Sequence, residues 1–329
     1  MIIKNIKLTN FRNHDSYSLD CIDETSLILG ENGCGKTSVL EALYILMRGK
    51  SFRATDSEIL KHNTDFYRIE LEYLNGEKIV ATYDGKDKIF QTLDKKSKRL
   101  SKKNKYPVIL FLPSDLNLIS HSPSRRRDYF DNIFSQFDEN YATSLSKYNK
   151  ALKQRNELLK NDFLTKDAFF SWNVMLSKYG SDLYNFRKNF IDEFNSKITN
   201  IYRSIAENTD EIFIDYKTEI NPTQDYLKIL EGTFEKDHIL GHTSFGIHRD
   251  DYIFNFNHTP ADGSASRGET RSIVLALKFI EANLMFEKLN KKPLVLLDDV
   301  FSELDETRRK ALVKNFKNHQ VIITSVENI

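Results

Sequence analysis

The stretch Gly30-Glu31-Asn32-Gly33-Cys34-Gly35-Lys36-Thr37 fits GxxxxGK[ST], the phosphate-binding loop of nucleoside triphosphatases. The apolar run before it predicts a buried strand, and residues 38–46 after it predict a helix, so an accidental match of a glycine-rich turn is disfavoured. Glycines let the backbone curl so that N–H groups face phosphate oxygens, and the helix N-terminus adds positive potential. We therefore expect ATP or GTP here, with Lys36 on the β- and γ-phosphates and Thr37 on Mg²⁺.

The nucleotide contacts that we expect from this segment are made largely by backbone groups. Cys34 lies inside the loop, where the backbone rather than the thiol does the binding. The expected contact residues are Gly30, Glu31, Asn32, Gly33, Cys34, Gly35, Lys36, Thr37 and Ser38.

Two acids that follow an apolar run near the C-terminus predict the second half of the site. Residues 294–297 are Leu-Val-Leu-Leu, which suits a central parallel strand buried on both faces, and Asp298 and Asp299 come next. Acids at the carboxyl end of such a strand emerge where ligands bind in open α/β sheets. We expect Asp298 to hold Mg²⁺ together with Thr37, and Asp299 to orient or deprotonate the attacking water, with Lys36 as the third catalytic residue. An ordinary helix N-cap is the structural alternative for either aspartate.

A third segment, Ser266-Arg267-Gly268-Glu269, comes before a long helix predicted from about Thr270 to Leu289. A hydroxyl and glycine-flanked amides at a helix start make an anion site. The alternative is an N-cap with a permissive glycine. Taken in chain order, the phosphate loop, this segment and the acidic strand end together predict one ATP site.

Composition places the chain among globular proteins, because 40% of its 329 residues are apolar and 29% are charged. Its two cysteines cannot form a disulfide framework, and we expect a reducing cytoplasm. No run of 18 uncharged apolar residues occurs and the first residues do not resemble a signal peptide, so we expect no membrane partner.

The net charge of +1 hides a concentrated basic tract. Residues 86–105 contain nine Lys or Arg and only two acids, Asp87 and Asp94. Such asymmetry suits a polyanion partner, although a solvated hairpin tip is an equal alternative. Arg125–Arg127 is a second candidate, unless it pairs with Asp128 or Asp131. The residues that we expect to contact the backbone of such a polyanion are Lys95, Lys96, Lys98, Arg99, Lys102 and Lys103.

Periodicity divides the chain into strand-rich ends and a helical middle. Asn75-Gly76 and Asp84-Gly85 lie between alternating runs and predict hairpins. From about Pro123 to Asn208 apolar residues recur at helical spacing. Strands return afterwards, and their predicted ranges are 212–216, 243–247, 252–257, 293–297 and 320–325.

With these motifs in order, the chain resembles the RecF family, part of the ABC-type ATPases that also include the SMC chromosome proteins. The resemblance covers nearly the whole sequence, from Leu8–Asn13 through Ser51-Phe52-Arg53 and the strand at Val108–Leu116. Its most family-specific segment is Gly246-Ile247-His248-Arg249-Asp250-Asp251, which could be a structural ion-pair corner or a nucleotide sensor. The chain ends at Ile329, earlier than the resemblance implies.

The resemblance implies an α/β fold, an ABC-type, SMC-like P-loop ATPase head with an inserted α-helical lobe. The head would comprise residues 1–118 and 240–329, and the insert residues 119–239. It also implies that Arg12 and Asn13 bind nucleotide, and that two heads sandwich two ATP molecules between one subunit's loop and the other's Ser266–Glu269. ATP would drive homodimerisation on duplex DNA or at single-strand gaps and junctions. Slow hydrolysis would release the clamp, and recombination mediator proteins would be loaded there.

Other functions remain as alternatives. A transporter ATPase is disfavoured because Arg267 stands where transporters carry glycine. An SMC protein needs long heptad segments or a Cys-x-x-Cys hook, and the sequence contains neither. A head ATPase of a DNA-defence or nuclease system and an ATP- and DNA-binding module without turnover both stay open.

Overall fold

The computed structural model describes residues 2–21, 23–93, 95–161, 165–221 and 224–326. The chain divides into two compact units. The first unit comprises Met1–Asp115 and Ala282–Ile329, and the second unit comprises Leu116–Glu281. Both ends of the chain therefore contribute to the first unit.

The described residues form strands and helices in the following order. The strands are β1 (Ile3–Phe11), β2 (His14–Asp20), β3 (Thr25–Leu29), β4 (Tyr67–Tyr73), β5 (Lys78–Tyr83), β6 (Lys88–Thr92), β7 (Lys95–Ser97), β8 (Val108–Phe111), β9 (Ile212–Lys217), β10 (Asp251–Phe256), β11 (Thr259–Pro260), β12 (Leu294–Asp298) and β13 (Val321–Ser325). The α-helices are α1 (Lys36–Arg48), α2 (Asp56–Ile59), α3 (Pro123–Phe137), α4 (Glu139–Leu158), α5 (Phe170–Ala206), α6 (Tyr226–Gly232), α7 (Phe234–Leu240), α8 (Ala261–Ser264), α9 (Arg267–Leu289) and α10 (Glu306–Phe316). Short 3₁₀ turns occur at Lys102–Asn104, Pro113–Asn117, Lys166–Phe169, Ile247–Arg249 and Val300–Glu303.

The first unit contains an antiparallel sheet in the order β2-β1-β4-β5-β6-β7. Its strands alternate between buried and partly exposed residues, most regularly in β4, because one face packs on the core and the other meets solvent. Both predicted hairpin turns form, with Gly76 and Gly85 at positive φ.

The parallel sheet of the first unit joins the two ends of the chain. Its order is β3-β13-β12-β8, so the N-terminal β3 pairs with the C-terminal β13. Every residue of β12 is buried, as expected for a central parallel strand. Helix α1 is buried along nearly its whole length and contacts strands of both sheets. This packing brings the carboxyl ends of β3 and β12 to the same edge.

The second unit combines long helices with a small antiparallel sheet, β11-β10-β9. Its core is aromatic, because the Phe134 and Phe190 rings stack with centroids 4.7 Å apart and Phe130 lies 4.3 Å from Tyr252. Apolar residues that recur at helical spacing in this segment therefore pack into a core.

Two sequence expectations differ from the structure. The predicted strand at 243–247 is absent from the described residues, because side chains take its backbone donors: Thr243 N–H donates to Asn156 Oδ1 and Ser244 N–H donates to Asp237 Oδ1. The predicted boundary at residue 240 also differs, since residues 240–281 belong to the second unit. Pairing of β9 with β10 ties that segment to the helical insert.

No helix within the described ranges combines the length and the apolar character that crossing a membrane requires.

Candidate nucleotide site

The loop Gly30–Gly35 connects β3 to α1, and the turn between β1 and β2 supports it. Asn13 Nδ2 donates to Gly33 O and His14 Nε2 donates to Gly35 O, both at 3.2 Å. Gly35 has φ +100°, and a Cβ there would lie 2.3 Å from His14 Nε2. Only glycine fits this position, because both the backbone angle and the close approach exclude a side chain.

Lys36 is the first residue of α1 and folds back over the loop. Its side chain is only 4% exposed, and its Nζ donates to Gly30 O at 2.8 Å and to Glu31 O at 3.2 Å. The same Nζ lies 3.7 Å from Asp299 Oδ2. The ammonium group therefore stands between the glycine loop and the acidic end of β12.

Thr37 and Asp298 meet across the parallel sheet although 261 residues separate them in sequence. Thr37 Oγ1 donates to the Asp298 carboxylate, with both oxygens at 2.9 Å. Thr324 Oγ1, on β13, donates to Asp298 Oδ1 at 2.9 Å. Burial raises the pKa of Asp298, and the hydrogen bonds from Thr37 and Thr324 oppose that shift.

Asp299 occupies a strained backbone position, with φ +50° in the left-handed region. Its N–H donates to Thr324 O at 3.2 Å and Thr324 Oγ1 at 2.9 Å, which fixes the residue where β12 ends. Asp299 Oδ1 is buried and has no hydrogen-bond partner among the described residues. An unpaired carboxylate oxygen at this place is able to accept a hydrogen bond from a ligand or a water molecule.

The donor set fits a magnesium nucleoside triphosphate. An open pocket of about 490 Å³ extends from the loop. The hydroxyl of Thr37 and the carboxylate of Asp298 are the hard oxygen ligands that Mg²⁺ prefers. Lys36 and the loop amides supply positive potential for phosphate oxygens. The residues lining the pocket are Arg12, Asn13, Asn32, Gly33, Gly35, Lys36, Thr37, Ser38, Arg53, Glu58, Leu60 and Asp299.

A buried carboxylate beside the pocket was missed by sequence reasoning. Glu41 of α1 is 0% exposed and accepts from Arg12 at 2.8 and 2.9 Å, from Arg53 at 2.9 and 3.1 Å, and from Ser51 Oγ at 2.6 Å. Burial alone would raise the pKa of Glu41, but these hydrogen bonds outweigh burial and hold the pKa below its ordinary value. The available signal was an acid within an otherwise apolar helix, which needs a buried cation.

The segment Ser266–Glu269 forms a reciprocal capping box at the start of α9, in the second unit. Ser266 N–H donates to Glu269 Oε2 at 2.6 Å, and Glu269 N–H donates to Ser266 Oγ at 3.3 Å. The N-cap alternative is therefore observed. Ser266 and Arg267 are exposed, so the capped helix start presents a hydroxyl and a guanidinium to solvent.

The basic tract lies at the edge of the antiparallel sheet in the first unit. Strand β7 pairs only with β6 among the described strands, and the tract continues into the 3₁₀ turn Lys102–Asn104. Lys98 pairs with Asp87 at 2.8 Å, while Asp94 lies outside the described residues. The exposed members are Lys95, Lys96, Lys98, Arg99, Lys102, Lys103 and Lys105.

The second arginine cluster pairs differently from the sequence expectation. Arg126 binds Asp251 at 2.7 and 2.8 Å, and Arg127 Nη1 donates to Asp250 O at 2.7 Å. Asp131 instead pairs with Arg187. Of the two suggested partners, Asp131 is wrong because it pairs with a buried arginine of α5, whereas Asp128 interacts electrostatically with Arg127 and Arg125.

Comparisons with known proteins agree with this architecture. Residues 2–329 match the RecF/RecN/SMC N-terminal domain. The DNA replication and repair protein RecF of Clostridium acetobutylicum is 33% identical over 335 residues, which cover 98% of this chain and 92% of that protein. RecF of Clostridioides difficile is 33% identical over 341 residues, which cover 99% and 92%.

Solved structures give the same result. The recombination mediator protein RecF-ATP of the RecFOR pathway matches with a TM-score of 0.88 at 28% identity, covering 99% of this chain and 92% of that chain. An SMC head bound to the C-winged helix domain of ScpA matches with a TM-score of 0.53 at 13% identity, which shows a common fold alone.

Proposed function

Because the chain belongs to the RecF family of DNA replication and repair proteins, we propose that it is a slow ATPase whose subunits dimerise on DNA when ATP binds. The observation that carries this proposal is the convergence of Lys36 and Thr37 with Asp298 and Asp299 at one edge of the parallel sheet. These residues come from opposite ends of the chain and form the two halves of a phosphoryl-transfer site.

Phosphate binding is assigned to the loop and Lys36. The loop amides and the start of α1 would hold the phosphates, and Lys36 would exchange its two carbonyl contacts for phosphate oxygens. Arg12, Asn13 and Ser38 complete the proposed nucleotide contacts. Thr37 and Asp298 would hold Mg²⁺, which supplies charge neutralisation of the phosphates when bound.

Asp299 is assigned to the hydrolytic step. Its buried and unpaired Oδ1 is able to orient a water molecule or accept its proton. Thr324 and the strained backbone hold the carboxylate at the end of β12, which limits its motion. A rigid acid at this point stabilises one geometry for the attacking water.

Dimerisation is assigned to the exposed Ser266–Glu269 segment, which would contact ATP bound by the partner subunit. ATP shifts the monomer–dimer equilibrium only through contacts that exist in the dimer and not in the monomer. The ATP-bound dimer is then the DNA-holding state, and slow hydrolysis ends it. Recombination mediator proteins are the proposed partners of that state.

DNA contact is assigned first to the basic tract of the first unit. Lysine dominates it, so the proposed readout is of the phosphate backbone rather than of base edges. Duplex DNA or a junction between single-stranded and duplex DNA is the proposed substrate.

Light scattering with and without a non-hydrolysable ATP analogue tests the proposal, together with phosphate release measured with and without gapped DNA. We expect the molar mass to double with the analogue and phosphate release to be slow and stimulated by DNA. A monomer at every analogue concentration would contradict the clamp. Dimerisation without phosphate release would instead support a binding module without turnover.

A further inference from the structure

The Gly246–Asp251 segment is held by an unusual density of buried polar contacts. Arg187, which is 1% exposed, donates to Ile247 O at 2.7 Å and pairs with Asp250 at 2.9 Å. Tyr216 donates its hydroxyl to the same Asp250 carboxylate. On the other side Asp251 is paired with Arg126. Each aspartate of the segment is thus paired with an arginine, although Arg187 is shared between Asp250 and Asp131.

His248 is neutral, and two hydrogen bonds fix its ring. Its Nε2 donates to Thr243 O at 3.0 Å, so Nδ1 accepts from Tyr148 Oη at 2.8 Å. Burial lowers the pKa of His248 to about 4, and the nearby Arg249 and Arg127 add to the shift. The ring is therefore neutral near pH 7 and holds the start of the 3₁₀ turn.

Gly246 brings the backbone against this network. It has φ +138°, and a Cβ there would lie 2.4 Å from the hydroxyl oxygens of both Tyr148 and Tyr226. Glycine is required by both the angle and the space. The backbone conformation at Gly246 is therefore restricted to one that a residue with a side chain cannot adopt.

Arg249 is the only residue of this segment classed as exposed. Among the described residues its guanidinium has neither a hydrogen bond nor an ion pair. The network fixes a turn of three residues, Ile247–Arg249, although Asp250 Oδ1 is buried without a hydrogen-bond partner among the described residues. Because the turn is fixed, the side chain of Arg249 is exposed to solvent.

Arg127 lies beside this position, and Arg125 precedes Arg127 by two residues on α3. Arg127 Nη1 donates to the carbonyl of Asp250, the residue after Arg249, so its guanidinium lies beside the turn. Arg125 is exposed on the first turn of α3 and also has no hydrogen bond or ion pair within the described ranges. Of the nearby acids, Asp250 and Asp251 are already paired, and the exposed Asp128 interacts electrostatically with Arg127 and Arg125. The balance of Arg125, Arg127 and Arg249 against this one exposed acid is therefore net positive.

We infer that Arg249, with Arg125 and Arg127, forms a second contact site for the nucleic-acid phosphate backbone, located in the second unit and built on the Gly246–Asp251 scaffold. The inference rests on the proposed function, which supplies DNA as the partner. Guanidinium groups suit phosphate because they present fixed pairs of N–H donors and carry charge at every physiological pH. The Gly246–Asp251 segment then positions Arg249 for phosphate binding.

Fluorescence anisotropy of a labelled gapped duplex, across a KCl series and with the ATP analogue present, tests this site. We expect R249Q to bind roughly three- to tenfold more weakly and to reduce the slope of log K against log salt by about one, the effect of one lost phosphate contact. The R125Q/R249Q double variant should lose more, and R249K should recover most of the affinity. K150Q, which removes an exposed charge from α4, is the matched control and should behave as wild type.

Thermal melting distinguishes a lost DNA contact from a destabilised fold. We expect the melting temperature of R249Q to equal that of the wild-type protein. Wild-type affinity and salt slope in the double variant would overturn the site, as would a loss of affinity that accompanies a lower melting temperature. R249Q that binds DNA normally but loses binding to polyglutamate would reassign the surface to an acidic protein. Failure of the wild-type protein to bind DNA would instead contradict the proposed function.

Discussion

Replacing Glu41 by glutamine should destabilise the first unit and weaken ATP binding at the same time. The carboxylate is 0% exposed and accepts four hydrogen bonds from two guanidinium groups. Glutamine keeps one acceptor oxygen but turns an NH₂ group towards the arginine donors. Breaking a buried ion pair costs about 3–5 kcal/mol, but Arg12 and Arg53 are 23% and 38% exposed and can turn partly to water. We therefore expect a loss of about 2–3 kcal/mol.

For a unit of this size each kcal/mol lowers the melting temperature by about 2–4 °C, so scanning calorimetry should record a fall of roughly 5–10 °C. ATP affinity, measured by titration calorimetry, should fall roughly tenfold, about 1.4 kcal/mol, because Arg12 loses the partner that orients it at the pocket. Glu72→Gln is the matched control, since Glu72 pairs with Lys4 and Lys78 at the surface of the same unit. That variant should stay near wild type in both measurements.

The pH dependence follows from the lowered pKa of Glu41. A carboxylate whose folded pKa lies below its unfolded value contributes stability that is fully present above the unfolded value, near 4.3, and is lost as the pH falls through the folded pKa. The stability difference between wild type and E41Q should therefore shrink below about pH 4. An E41Q protein with unchanged melting temperature would refute the energetic argument. A lower melting temperature with unchanged ATP affinity would refute the positioning of Arg12.

Four further variants test the proposed function. Lys36→Ala should abolish ATP binding in calorimetry while leaving the fold intact, since it removes the cation from the phosphates. Asp299→Asn should bind ATP but slow phosphate release, and should prolong the lifetime of the dimer on DNA in a dissociation assay. Ser266→Arg should prevent the analogue-induced dimer in light scattering, and unchanged monomer ATP affinity is its control. Neutralising four lysines of the basic tract should weaken DNA binding and reduce the slope of log K against log salt by up to about four. An unchanged slope would exclude the tract as a DNA contact. The lysines chosen are Lys95, Lys96, Lys102 and Lys103.

Sequence patterns gave most of the first unit because its determinants are local. The two hairpin turns predicted between alternating runs form at Gly76 and Gly85, and the loop motif located the start of α1. The predicted strand at 243–247 failed for a different reason. Only Phe245 and Ile247 of its five residues are apolar, and Asn156 and Asp237 accept hydrogen bonds from two of its backbone N–H groups.

The site also contains residues that local motifs reveal and residues that depend on contacts between distant parts of the chain. Lys36, Thr37, Asp298 and Asp299 were recognisable because each belongs to a short motif with a chemical reason. The cluster around Glu41 has no such motif, because its partners lie 29 and 12 residues away and meet only when α1 packs between the sheets. The exposed placement of Arg249 was equally hidden, since it depends on a buried arginine from α5.

Thr324 shows why the nucleotide site depends on the last described strand. Strand β13 lies between β3 and β12, so neither the glycine loop nor the acidic strand end is in place until β13 has paired with both. Thr324 then binds the side chain of Asp298 and the N–H of Asp299 at once. One residue therefore sets both the metal-binding carboxylate and the strained position of the proposed base. Since loop closure between chain ends this distant is slow, the catalytic edge should be among the last parts of the first unit to form.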